Sequence, residues 1–333
     1  MAGSVFIDRV LPLIVFPTLL AAAFKLILGH LSVSGLDIVL RDQCLPGTGQ
    51  STPFLLEYTG FKGLDDSLCG FVSFFQETFA NPLATKQLGY FAGTGGVFIL
   101  FLALESSRKR RSALIAFPMA WLFVSQIMTI GITISAYCLV FTLTNNSIPT
   151  TKASKKVTQA SVEAILAGLI FGGAAPTLAL MHYQDPHVSA WWQIYPVYIA
   201  IISQIYLFIR PSSTTSGRSF AQTVLLGSFV LSSAFHLYTV LPLIQDTETL
   251  KSLFLPSTIP VEPTASAGLK TLDFLRWDFS LGIGSIMAAT LWFAQSGLQL
   301  FGILAWYIVG SPLLGPSAAA TAVLLWREAN LQY

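Results

Sequence analysis

Charged side chains are scarce in this sequence, and the few that interrupt apolar runs are where chemistry can sit. Asp278 lies in Leu272-Asp273-Phe274-Leu275-Arg276-Trp277-Asp278-Phe279, a turn or two into an apolar block. A charge inside a bilayer costs at least a few kcal/mol and seldom persists without a role or a partner. Asp278 therefore reads either as an acid catalyst or as half of a structural ion pair with Arg276 or Lys25. Glu77, in Phe74-Phe75-Gln76-Glu77-Thr78-Phe79, is a second carboxyl set among aromatic rings. It suits a general acid, and equally a solvated glutamate at an interface. Asp65 and Asp66 precede that block, where acids cap helix starts; Asp65 is also a candidate substrate contact.

Aromatic residues form the second group. Ala190-Trp191-Trp192-Gln193-Ile194-Tyr195-Pro196 opens an apolar block. Paired tryptophans at such a place usually form an interfacial belt. They can instead line a cavity, where ring faces stabilise carbocations through their quadrupole. The remaining polar groups read more plainly. Glu163 fits the preference for acids in a first helical turn. Glu105 sits beside Arg108-Lys109-Arg110-Arg111 and reads as structural. His236 reads as a buried, hydrogen-bonded histidine. His182 and His187, with Tyr183 and Asp185, have poor spacing for a metal, and no metal site is expected. No catalytic triad, phosphate-cradling glycine loop or dinucleotide fingerprint is convincing. Gly93-Thr94-Gly95-Gly96 suits close helix packing.

The elements that position these residues must be transmembrane helices. Of the 333 residues 53% are hydrophobic and only 10% are charged, against about a quarter charged in a soluble domain. The apolar residues come in blocks near the ~20 residues that span a bilayer, not in the short alternating segments of a barrel. Spans are expected over Val10–Leu31, Leu88–Leu104, Leu114–Leu143, Val162–Met181, Val188–Ile209, Phe220–Leu243, Leu272–Phe293 and Leu298–Leu325, the last bent at Gly310-Ser311-Pro312. The fold class is all-α, a polytopic bundle of about seven or eight spans. Leu68–Phe79 is too short to cross and reads as an interfacial or re-entrant helix. One membrane domain, residues 1–333, accounts for the chain, without internal repeats.

The densest basic cluster falls in loop 106–112, which places that loop and the N-terminus in the cytoplasm. Segment 32–66 then faces the lumen, as does the Asn145-Asn146-Ser147 sequon, and Cys44 and Cys69 share an oxidising compartment where they can pair. Lys152, Lys155 and Lys156 oppose this orientation. A net charge of +2 gives no argument for a nucleic-acid partner.

Three stretches also carry a resemblance: Tyr58-Thr59-Gly60-Phe61 to Leu64-Asp65, Ala190 to Pro196, and Leu275-Arg276-Trp277-Asp278 ahead of Leu291-Trp292. In order and spacing they resemble the integral membrane proteins of fungal biosynthetic clusters for meroterpenoids and indole diterpenes, several of which are membrane-bound terpene cyclases. The resemblance implies an endoplasmic-reticulum enzyme acting on a prenylated substrate, without metal or other cofactor, beside other membrane enzymes of one pathway. A carboxylic acid would protonate a terminal epoxide, and the polyene would close through carbocations behind aromatic walls. A base would then remove a proton. Shorter cyclases of this kind use two acids on different helices, for which Asp278 and Glu77 are the nearest equivalents, expected on one cavity. Asp65, Trp191, Trp192, Gln193, Tyr195, Arg276 and Trp277 are the expected substrate contacts. The other readings are a small-molecule transporter, which would need repeated halves, and a non-catalytic membrane scaffold.

Overall fold

A computed structural model describes residues 5–45, 52–108, 111–145, 156–210 and 215–331. The described residues are almost entirely helical, with one isolated bridge between Thr158 and Ser216. Helix α1 spans Phe6–Val33, and α2, Leu36–Asp42, follows a turn at Gly35, whose φ of +70° suits glycine. Then come α3, Lys62–Phe79, and α4, Pro82–Ser106, which Asn81 caps by accepting the amides of Leu83 and Ala84. Helices α5, Pro118–Met128, and α6, Ile130–Asn145, are separated by Thr129. Next are α7, Gln159–Tyr183, α8, Pro186–Trp192, and α9, Tyr195–Ile209. The chain continues with α10, Arg218–Leu243, and α11, Thr247–Phe254. It ends with α12, Ala267–Thr290, α13, Gly297–Leu314, and α14, Pro316–Asn330.

Five of these helices (α1, α4, α7, α10 and α13) are long and apolar enough to cross a membrane, and the α8–α9 pair, bent by 57°, makes up to six. Their outward faces carry large apolar side chains such as Phe208, Leu298 and Ile308, a surface that hydrocarbon tolerates and water does not. Two helices hold the centre. Helix α12 packs along α6 and carries Lys270, Asp273, Arg276 and Asp278. Helix α4 is buried along most of its length, with Val97 to Glu105 wholly inside.

Several expected elements are drawn differently. The segment after α1 is not all loop, because α2 forms within it. The Leu114–Leu143 block is not one helix: it breaks at Thr129, which adopts φ +80°. The Leu298–Leu325 block does not bend at Pro312, which lies inside α13. The chain turns instead at Gly315, φ +93°, and α14 doubles back so that the Trp306 indole donates to the Ala319 carbonyl at 3.0 Å. Pro316 has no N–H, so the helical partner of the Pro312 carbonyl is missing. His236 supplies it from Nε2 at 3.2 Å, while Tyr90 hydroxyl meets Nδ1 at 3.0 Å. His236 is thus the buried, hydrogen-bonded histidine the sequence suggests.

Cys44 and Cys69 form a disulfide that ties the end of α2 to α3 across a sequence separation of 25 residues. Loop-closure entropy for such a ring corresponds to about 3.5 kcal/mol. Reduction, or Cys44→Ser, is expected to lower the melting temperature in detergent by several degrees. An unchanged melting curve under reductant would refute this. Of the sequon, Asn146 and Ser147 lie outside the described residues.

Candidate active site

A cavity of about 1560 Å³ runs through the bundle, larger than the 300–1,000 Å³ usual for small-molecule sites. Its walls come from α3, α4, α7, α10 and α12, with contributions from α1, α2, α5 and α9. The lining is largely aromatic and aliphatic. Phe74 of α3 meets Phe274 of α12 edge-on at 5.0 Å, and Phe75 meets Trp192 at 5.2 Å. Trp192 in turn lies 5.0 Å from Tyr195, and its indole N–H is fixed by a 3.0 Å bond to the Thr177 hydroxyl. One end opens among Asp37, Arg41, Lys62 and Asp66, all solvent-exposed.

Asp278 is a buried carboxylate on this lining. It makes no ion pair among the described residues: Arg276 turns to Asp273 instead, at 3.6 Å, and Lys25 makes no salt bridge with it. Its partners are backbone. Oδ1 accepts the Gly131 amide at 2.6 Å. The break at Thr129 is what makes this possible. It starts a new helix in the middle of an apolar block and aims that helix's free N–H groups at Asp278. The positive end of a helix dipole stabilises an anion there, so the charge left behind when Asp278 gives up a proton has a ready-made receptor. A left-handed threonine costs of order 1–3 kcal/mol, and such outliers gather at functional sites.

Gly131 lets the carboxylate sit close to the backbone here. A Cβ there would lie 2.8 Å from Ile27 Cδ1 and 3.2 Å from Asp278 Oδ1. Gly131→Ala is expected to push the carboxyl off its seat and lower turnover by about tenfold or more. Wild-type turnover in Gly131→Ala, measured at equal protein level, would show that this clamp does not position the acid.

Of the expected site residues, Asp278, Trp192, Gln193 and Tyr195 share the cavity. Gln193 is held by its amide on the Ser189 carbonyl at 3.1 Å. The others lie elsewhere. Glu77 is not on the lining; its carboxylate accepts the Gln43 amide at 2.6 Å at the end of α2. The expectation that Asp278 and Glu77 share one cavity is therefore corrected, because α2 folds over Glu77. Asp65 closes the loop before α3 by accepting the Thr59 amide at 2.8 Å and hydroxyl at 2.7 Å. Burial pushes its carboxyl up, but these bonds outweigh that and hold it below the ordinary aspartate range. Trp191 is 49% exposed and off the cavity lining. Arg276 donates to the carbonyls of Ser252 and Leu255, and Trp277 to that of Ser257 at 2.9 Å. Both anchor the end of α11 and the segment after it, and neither lines the cavity. Asp273, expected near the interface, is buried against His30 Nδ1 at 2.8 Å.

Glu163 binds Gln159, Tyr206 and Arg210. Asp185 caps α8, and His187 meets Tyr58 edge-on at 5.4 Å; among the described residues no three of His, Cys, Asp and Glu gather as a metal set. Sequence reasoning missed Thr129 and Gly131, and no proline marked that break. It also missed Phe274 as a wall residue, although Phe274, Leu275 and Asp278 fall on one helical face at spacings i, i+1 and i+4.

The fold and chamber define an α-helical protein with several membrane-length helices around an aromatic-walled, acid-bearing cavity. The family model described as the CtvD domain matches residues 12–331, and the chain belongs to that family. Among its relatives is the protein named terpene cyclase ctvD of Aspergillus terreus (strain NIH 2624 / FGSC A1156). It is 24% identical over 317 residues, which cover 87% of this chain and 89% of that protein. The protein named terpene cyclase janA of Penicillium janthinellum is 26% identical over 299 residues, covering 83% and 82% respectively. No solved structure matches the chain.

Proposed function

We propose that this protein is a membrane-bound terpene cyclase of fungal secondary metabolism. It would cyclise the epoxidised prenyl chain of a meroterpenoid or indole diterpene. The observation that carries the reading is a buried carboxyl, Asp278, seated on a helix start and facing a large chamber walled by aromatic rings. Both named relatives support it.

The chemistry follows from the groups present. The Asp278 carboxyl passes its proton to the epoxide oxygen, the C–O bond to the more substituted carbon opens, and that carbon takes the positive charge. The carboxylate left behind keeps the Gly131 amide. Neighbouring double bonds then attack in turn, each closing a ring and moving the cation along the chain. Phe74, Phe75, Trp192 and Phe274 present ring faces and exclude water, which would otherwise capture the cation. Loss of a proton to a base ends the sequence, so substrate and product have the same mass. Asp278 is the catalytic acid, and Trp192, Gln193 and Tyr195 contact substrate. Glu77, Asp65, Trp191, Arg276 and Trp277 have supporting roles at most.

The membrane reading extends this. With α5–α6 counted as one broken crossing and α12 as a charged one inside the bundle, about eight spans result, and α3 lies at the interface. The disulfide between α2 and α3 fits the lumen of the endoplasmic reticulum. The decisive experiment is a product assay in yeast microsomes supplied with epoxidised prenyl-aromatic substrates. New isomers of unchanged mass support the cyclase. An absence of conversion across several such classes rejects it.

A further inference from the structure

The chamber has a second opening, away from the charged one. On α7, Ile170, Ala174 and Leu178 line the cavity, and they are also exposed on the outside of the protein. They recur every four residues, so they form one edge of the helix. On α10, Thr223, Gly227 and Leu231 do the same with the same spacing. Each edge is about 12 Å long. The two helices meet near their starts, where Gln159 donates to the Thr215 carbonyl at 3.0 Å and Gly217 to that of Val157 at 2.8 Å. Beyond that point α10 packs against α14 and α4, and α7 packs against α9. A Cβ at Gly172 would lie 2.5 Å from the Ile199 amide, so α7 is seated backbone-to-backbone on α9 rather than on α10. A Cβ at Gly227 would meet nothing within 4 Å. The gap is therefore real space, bounded by apolar groups on two helices that are long and apolar enough to cross a membrane. No charged residue occurs in 164–181 or 219–235.

We propose that this slot between α7 and α10 is the substrate portal, through which the hydrocarbon chain of a prenylated amphiphile slides sideways from the bilayer to Asp278. The occupant follows from the lining. Five of the six rim residues are apolar or lack a side chain, which favours a hydrocarbon chain over an ion or a soluble metabolite. The rim is continuous with the chamber that holds the acid. The water-facing opening is lined by Asp37, Arg41, Lys62 and Asp66, whose desolvation opposes passage of a bare hydrocarbon. The portal rests on the cyclase reading only for the identity of the chain, not for the route.

Photolabelling separates the two. Wild-type protein in phosphatidylcholine vesicles is irradiated with a C20 polyprenyl phenyl ether carrying a diazirine on the chain, and labelled peptides are mapped by mass spectrometry. Label is expected on the 170–178 or 223–231 peptides, and equally in Asp278→Asn, because passage needs no proton transfer. Gly227→Trp, at an unchanged melting temperature, is expected to lower labelling of the 274–279 peptide by about tenfold. Label confined to the α2–α3 opening, or absent from both slot peptides, overturns the portal on wild-type protein alone and leaves the cyclase standing. A labelled slot in a protein that converts no prenyl epoxide leaves the portal and rejects the cyclase.

Discussion

Asp278→Asn is expected to reduce cyclisation by about a thousandfold, within the range a positioned general acid contributes, while the protein accumulates and melts as wild type does. Asparagine has nearly the same shape and keeps an oxygen to accept the Gly131 amide, so the joint between α6 and α12 survives. What it lacks is an acidic proton. Nothing else on the cavity lining near that position replaces it: the other lining carboxylates, Asp37 and Asp66, lie at the charged opening. Asp278→Glu keeps the proton but lengthens the arm against a seat fixed by backbone. Its expected activity falls between the two, since misplacement by about 1 Å can cost a hundredfold. Isomer formation by quantified microsomal protein is the measurement. Full activity in Asp278→Asn would move the acid elsewhere and remove the main support for the mechanism.

The second large effect concerns stability. Glu105 at the end of α4 is buried and receives Arg108 at 2.9 Å, together with Arg111 and Arg327. Glu328 takes the other face of Arg108 at 2.6 Å. The network fastens α14 to α4, and Arg327 also lies over the Phe293 ring at 3.8 Å. Glu105→Gln removes the carboxylate that three guanidinium groups share and leaves Glu328 on Arg108. Breaking a buried pair in this way costs about 3–5 kcal/mol, because the stranded charge has lost both water and partner. The variant is expected to melt well below wild type in detergent, or to fail to accumulate. Adding Arg327→Met removes one stranded cation and is expected to recover part of the loss. If Glu105→Gln melts normally, the cluster contributes little. No effect on product identity is expected, since none of these groups lines the cavity.

Helix class and the rough placement of the apolar blocks were legible because bilayer thickness imposes a length on every span. Asp278 was legible for a related reason: a carboxylate in an apolar run is conspicuous. Trp192, Gln193 and Tyr195 stood out with it as an aromatic cluster. The same rule misassigned Glu77, because it identifies costly residues without naming their neighbours. That glutamate is satisfied by Gln43, which a seven-residue helix in a polar segment brings over it. Arg276 and Trp277 were misplaced for want of a face. With Asp273 they occupy positions i, i+3 and i+4 on the side of α12 turned from the chamber, a pattern the sequence did contain.

The sequence by itself determined that the chain is helical, that it suits a membrane, and that Asp278 is its most exceptional carboxyl. Those follow from local composition and from the cost of burying charge. Only the tertiary structure decided that Asp278 is held by the start of α6. It also decided that the Leu114–Leu143 block breaks at Thr129 to provide that start, and that Glu105 collects Arg327 of α14 beside its sequence neighbours Arg108 and Arg111. The reason is physical. A helix end exposes unpaired amides wherever it occurs, but which buried oxygen they meet depends on how two helices distant in sequence pack, and no spacing along one strand of residues records that.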